Sequence, residues 1–175
     1  MDQPPSFSLL KCVDNFKGAY EATRHLLELG HERIAYIGGP ESFLSAIKRG
    51  QGFETALEEI GLKPYKLERG DYEISTGYRI TEQWIEAEDL PTAILAGDDH
   101  IAFGVINALT QKGYEVPEDI SVVGFDDHPF ASELKPYLTT VRQPAVEMGK
   151  VGVDSLFKLM KDQEQNNLVI KLNPK

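Results

Sequence analysis

A chain of 175 residues suits one domain, or one and a half, with a real core, and 41% hydrophobic and 26% charged residues describe a globular chain rather than a disordered one. A net charge of −10 makes this polypeptide by itself a poor DNA binder, since nucleic-acid surfaces need basic patches to neutralise phosphates. The single cysteine, Cys12, excludes an internal disulfide and fits a reducing cytoplasm; no apolar run reaches membrane-spanning length, and Met1-Asp2-Gln3-Pro4-Pro5 lacks the basic and apolar parts of a signal peptide.

The chain opens loosely through Pro4-Pro5-Ser6, and residues 9–13 read as a short strand. From Gly18 the pattern turns helical, with Ala22, Leu26 and Leu29 on one face and Gly30 as the stop. Ile34-Ala35-Tyr36-Ile37 is a strand closed by the turn signal Gly38-Gly39-Pro40. A helix follows with Phe53, Ala56, Leu57 and Ile60 inward, then a weak strand at 65–67 leading to Gly70-Asp71-Tyr72. A third helix begins after Ser75, a candidate N-cap, and turns Gly77, Ile80, Trp84 and Ala87 inward. Ala93 to Ala96 is a strand, Ile101, Val105, Ala108 and Leu109 mark a helix, and Pro117 introduces the strand Ile120-Ser121-Val122-Val123. Strand and helix thus alternate from residue 34 to residue 124, which predicts an α/β fold with a doubly wound parallel sheet. Beyond Asp127 the alternation breaks into a loop over 128–137 and a short extended piece over 138–141. A helix after Pro144 carries Val146, Gly149, Val153, Leu156 and Met160 on one side, and residues 168–172 form a last strand.

Two strands end in paired acids, Gly97-Asp98-Asp99 and Phe125-Asp126-Asp127. In an open α/β sheet, ligands bind at the carboxyl ends of the strands, so Asp98 and Asp126 are expected to point into one crevice. Asp99, directly before a helical stretch, reads as an N-cap instead. Arg49, near the start of the helix after Gly38-Gly39, hangs over the same edge, with an acid expected on the opposite wall; its guanidinium suits bidentate bonding to hydroxyls. Tyr72 offers a ring on which the apolar face of a sugar can stack. No Walker loop, Gly-x-Gly-x-x-Gly, Cys-x-x-Cys or His-Glu-x-x-His occurs, and the four histidines are scattered. Two acids, an arginine and an aromatic ring suit binding of a polyol better than bond breaking. The expectation is a binding protein, not an enzyme, with no cofactor and no metal.

Several segments resemble the effector-binding region of the LacI/GalR family of bacterial transcriptional repressors. They are Asp14-Asn15-Phe16-Lys17-Gly18, residues 26–39 ending in Ile34-Ala35-Tyr36-Ile37-Gly38-Gly39, Arg49-Gly50-Gln51-Gly52-Phe53, Ala96-Gly97-Asp98-Asp99, residues 117–127 and residues 138–144. The resemblance covers about residues 14–172. It implies a periplasmic-binding-protein-like C-terminal subdomain with fragments of the N-terminal one. Residues 1–30 would be the remnant of the N-terminal subdomain, 31–137 the effector-binding subdomain, 138–163 the hinge crossover with its helix, and 164–175 a strand returning to the C-terminal subdomain.

By the same resemblance Arg49, Tyr72, Asp98 and Asp126 contact the effector, a neutral polyol such as a sugar. Ile101, Val105, Phe130 and Leu134 would lie in a homodimer interface. The family's helix-turn-helix head is missing from the sequence, as is most of the N-terminal subdomain, so operator DNA would be reached only through that head. The implied setting is the cytoplasm, without membrane contact. Two other classes compete: a periplasmic sugar-binding protein of a transport system, which shares the two-lobed architecture, and a Mg²⁺-dependent hydrolase using the acid pairs.

Overall fold

The computed structural model describes residues 10–133, 135–161 and 169–174. Seven strands and five helices follow one another in these segments. They are β1 (Leu10–Val13), α1 (Asn15–Glu28), β2 (Ile34–Gly38), α2 (Leu44–Glu58), β3 (Lys66–Arg69), α3 (Ile74–Glu86), β4 (Ala93–Ala96), α4 (Asp99–Gln111), β5 (Ser121–Asp126), β6 (Thr139–Arg142), α5 (Ala145–Lys161) and β7 (Val169–Leu172). A single 3-10 turn, Pro129–Ser132, lies between β5 and β6.

Strands β3-β2-β4-β5-β6 form a five-stranded sheet in that order, and every pairing is parallel. The central strands β2 and β4 are buried along their whole length, which is why they read as unbroken apolar runs rather than alternating ones. Successive side chains of β2 serve opposite faces. Ala35 and Ile37 join Ile80, Trp84, Ile101 and Val105 on the side of α3 and α4. Ile34 and Tyr36 join Ala19, Leu26, Phe53 and Phe125 on the side of α1 and α2. Tyr36 and Phe53 stack there with ring centroids 5.1 Å apart.

Backbone contact at glycines brings each helix pair together. A Cβ added to Gly77 of α3 would sit 2.0 Å from the carbonyl oxygen of Ile101, and one added to Gly104 of α4 the same distance from that of Ile74. Across the sheet, Gly52 of α2 faces the Phe16 carbonyl of α1 in the same way, at 2.2 Å.

Three expectations change, besides the start of α3, where Glu73 rather than Ser75 is the N-cap. Helix α1 packs its Ala19, Ala22 and Leu26 on the five-stranded sheet, so it is part of this core rather than of a separate lobe. Strand β7 does not return to that sheet. It pairs in parallel with β1, Val13 opposite Leu172, as a separate two-stranded sheet; residues 162–168, which lead into it, fall outside the described segments. Leu29, Ile60 and Ala87 are exposed, because each lies at or beyond the last turn of its helix, where the periodic face has already run past the sheet.

Candidate functional site

Because all five strands run the same way, their carboxyl ends share one edge, and α1, α2 and α4 begin there. Arg49, one turn and a half into α2, is drawn under this edge and is 5% exposed. Its Nε donates to Asn15 Oδ1 at 2.9 Å, its Nη2 donates to Asp126 Oδ1 at 2.9 Å, and its Nη1 donates to the Gly97 carbonyl. The guanidinium carbon lies 3.8 Å from the centre of the Phe125 ring. One side chain thereby ties together the start of α1 and the ends of β4 and β5. Among the described residues three of the five guanidinium N–H groups find acceptors.

Asp126 closes β5 in a backbone conformation that L residues seldom adopt, with φ at +115°, and Asp127 follows at +56°. Such conformations persist when the surroundings over-determine them, and they concentrate at binding sites. Here Asp126 Oδ1 accepts from both Arg49 and the Gln143 side-chain amide, so neither bond engages Oδ2. Asp127 pairs with Arg142 of β6.

Asp98, rather than Asp99, caps α4: its Oδ1 accepts from the Ile101 N–H at 2.8 Å. The sequence cannot separate two adjacent acids, and the extended backbone at 98 is what aims that carboxylate along the helix. Oδ2 of Asp98 lies 3.5 Å from His100 Nδ1. Burial pushes the Asp98 carboxyl above the ordinary aspartate range; the nearby Asp126 charge adds to this, and the Ile101 N–H, His100 and Arg49 oppose it. Asp99 is buried instead between α4 and β6, where it accepts from Thr140 Oγ1 and from the His128 N–H, each at 2.6 Å. Burial raises its pKa as well.

Tyr72 lies just beyond β3 with its ring flat against the turn after β2. A Cβ on Gly39 would meet the ring at 2.1 Å, and Phe43 approaches the other way with centroids 6.1 Å apart. The paired glycines at 38 and 39 are therefore a packing requirement, since Tyr36 occupies the same space above Gly38. The Tyr72 hydroxyl is buried without a hydrogen-bond partner among the described residues; Ser45 is near it but outside bonding geometry.

Arg49, Asp98 and Asp126 thus meet at one edge, with one difference from the expected placement. Arg49 and Asp126 are bonded to each other on the same wall rather than facing across a cleft, because Asp126 turns back at its left-handed backbone. Asn15, the Gly97 carbonyl and Gln143 complete the arrangement and were not singled out in the sequence; their segments stand out, their roles do not.

The dimer-interface residues fare differently. Ile101 and Val105 are 0% exposed and pack in the core against α3, so they are unavailable to a partner. Their spacing marks a buried helix face, and that face serves this chain's own core. Phe130 is half-buried in a ring cluster with His100, Phe103 and His128, and Leu134 lies outside the described residues. Among the described residues no group of three or more His, Cys, Asp or Glu side chains is placed to hold a metal ion, and no helix is long and apolar enough to cross a membrane.

Comparison with known proteins defines the class to which this arrangement belongs. Residues 23–175 match the model of the periplasmic binding protein-like domain family, and the chain belongs to that family. It is 35% identical over 174 residues to the HTH-type transcriptional repressor PurR of Vibrio atlanticus, covering 98% of this chain and 52% of that protein. The PurR repressor of Haemophilus influenzae (strain PittEE) is 37% identical over 153 residues, covering 86% of this chain and 46% of that protein. A lactose repressor structure bound to the anti-inducer ONPF superposes with a TM-score of 0.89 at 33% identity, covering 94% of this chain and 61% of the repressor. A putative LacI transcriptional regulator from Bacillus cereus subsp. cytotoxis superposes with a TM-score of 0.89 at 30% identity, covering 95% and 60%.

Within the family, the chain is an effector-binding region of the LacI/GalR type. It spans about half the length of the curated relatives it matches.

Proposed function

We propose that this chain senses a neutral, hydroxyl-rich small molecule, a sugar, at the carboxyl edge of its five-stranded sheet. In the longer repressor it would act as one face of a two-lobed cleft. The observation that carries this reading is the Arg49–Asp126 pair with Asp98 beside it. Asp126 neutralises Arg49, and Asp98 adds acceptor oxygens and negative charge, which favours donors such as hydroxyls and opposes phosphate or carboxylate groups. Tyr72, partly buried against the core, would border the ligand beside this edge.

Ligand binding would shift the balance between open and closed lobes, and a homodimer would pass this to DNA-binding heads outside the present sequence. The repressor names of the relatives support regulation in the cytoplasm over transport or catalysis. With the net charge at −10, contact with operator DNA would fall to those heads.

The test is an amide NMR titration of the 175-residue chain with D-galactose, D-ribose, D-glucose 6-phosphate and adenine. Since this chain would supply only one face of the cleft, weak shifts at Gly97, Asp98 and Asp126 with a neutral sugar at high concentration are expected. Shifts only with the phosphate ester or the base, or none at all, would overturn the sugar reading.

A further inference from the structure

We infer that Asp99, which faces away from the proposed ligand, is the positioning residue for Asp126. The inference rests on Asp126 being a ligand contact, as proposed above, but its structural basis is independent of any ligand. Asp99 is 1% exposed, and among the described residues no hydrogen bond or ion pair joins its carboxylate to a cationic side chain. Both its oxygens are spent on the segment that follows Asp126. Oδ2 accepts the His128 N–H, and Oδ1 accepts the Thr140 hydroxyl of β6. Thr140 Oγ1 in turn accepts the Asp127 N–H at 3.3 Å. The positive-φ residues at the end of β5, Asp126 and Asp127, are therefore bracketed on the far side by a chain of bonds that starts at Asp99.

The notch that admits this carboxylate is built into β5. A Cβ at Gly124 would lie 2.3 Å from Asp99 Oδ1, so any other residue there would expel it. Burying a carboxylate is costly, and burial raises the pKa of this one, so the bonds to His128 and Thr140 must offset a penalty. A neutral side chain would fill the space without that penalty. What the charge adds is a strong acceptor for two donors, on different segments, that fix a left-handed bend. On the near side of that bend, the Asp126 carboxylate is held against Arg49 and Gln143. The bend thus has one anchor in the ligand site and one behind it.

The readout is the set of Arg49 guanidinium N–H resonances, recorded without any sugar, so failure of the sugar reading leaves the result interpretable. With Arg49 clamped, separate slowly exchanging Nη signals are expected in the unaltered chain. Thr140→Val, which keeps shape and removes the hydroxyl, should merge or broaden the Nη signals and move the Asp126 and Asp127 amides; Thr140→Ser should restore them. Asp99→Ala should behave as Thr140→Val, and Asp99→Asn, which can still accept from His128 and donate to Thr140, should retain the signals. If Asp99→Ala does not fold, the two Thr140 variants decide alone. Unchanged Arg49 signals in folded Thr140→Val, with only a lower denaturation midpoint, would overturn the inference and leave Asp99 a purely structural group.

Discussion

Arg49 and Asp126, 77 positions apart in sequence, share a 2.9 Å charge-assisted hydrogen bond in which the arginine is almost wholly buried and the acid is one-third exposed. The pair is therefore both part of the fold and part of the ligand edge. Asp126→Ala removes an acceptor from a buried guanidinium, so it should cost stability as well as affinity. Leaving such a donor unsatisfied costs about 1–3 kcal/mol, and losing a charge-assisted ligand contact weakens binding on the order of tenfold to a hundredfold. Urea denaturation beside sugar titration separates the two losses. If stability is untouched, the pair does not hold the fold; if affinity is untouched, Asp126 is not a contact.

Asp98 has a carboxyl pKa raised chiefly by burial, so the folded state holds its proton more tightly than the unfolded chain does. Its contribution is then most favourable at low pH and declines as pH rises from the unfolded value of about 3.9 through the folded one. Asp98→Asn keeps the cap and removes the titration. The stability of the unaltered chain relative to this variant should fall as pH rises across that window and stay flat above it. Chemical denaturation at a series of pH values measures the slope, and a rising difference would contradict the assigned direction.

At the opposite end of the sheet, His31 bonds through Nδ1 to Thr92 Oγ1 and through Nε2 to Ser121 Oγ, both at 3.1 Å, and burial lowers its pKa. Here the sign reverses. The neutral ring is favoured by folding, so its stabilisation is present above the unfolded value of about 6.5 and is lost as pH falls through the folded pKa. His31→Gln should make stability less dependent on pH across that range. A pH profile identical to that of the unaltered chain would remove His31 as its cause.

Glycines divide into those that permit contact and those that do not. Gly77→Ala drives a methyl group into the Ile101 carbonyl and should separate α3 from α4, at a cost of about 1–3 kcal/mol. Among the described residues nothing lies within 4 Å of a Cβ added to Gly149 of α5, so Gly149→Ala should stabilise by roughly 0.5–1 kcal/mol through helix propensity alone. Thermal denaturation of the two variants should give shifts of opposite sign.

The order of strands and helices was legible because fully buried parallel strands leave unbroken apolar runs such as 34–37 and 93–96, each closed by glycine. The acids at the strand ends were legible for the same reason: polarity returns abruptly where the sheet ends. Periodicity could not reveal what a helix face covers. The stripe through Ile101 and Val105 looks the same whether it meets α3 or another molecule, and only the reciprocal contact of Gly77 and Gly104 decides for α3. Partners of single polar groups were equally hidden. Asn15 with Arg49, Gln143 with Asp126 and Thr140 with Asp99 are all far apart in sequence, and each residue alone is an ordinary polar side chain.

Helix α5 carries the last expectation. Its apolar side is exposed, Val146 at 74% and Met160 at 80%, with Val153, Leu156 and Phe157 between them. A solvated apolar stripe of this length is an association surface or a liability. At about 25 cal/mol per Å², covering roughly 200 Å² of it contributes about 5 kcal/mol before the costs of association. The 175-residue chain should therefore sediment as a dimer or larger species whose fraction grows with concentration. Leu156→Glu should shift it toward monomer while changing stability by no more than about 0.5 kcal/mol, since that side chain already faces solvent. Ile101→Glu would be uninformative for association, because a charge at that buried position unfolds the core first. A clean monomer at high concentration, or self-association that Leu156→Glu leaves intact, would show that α5 is not the surface through which the chain pairs.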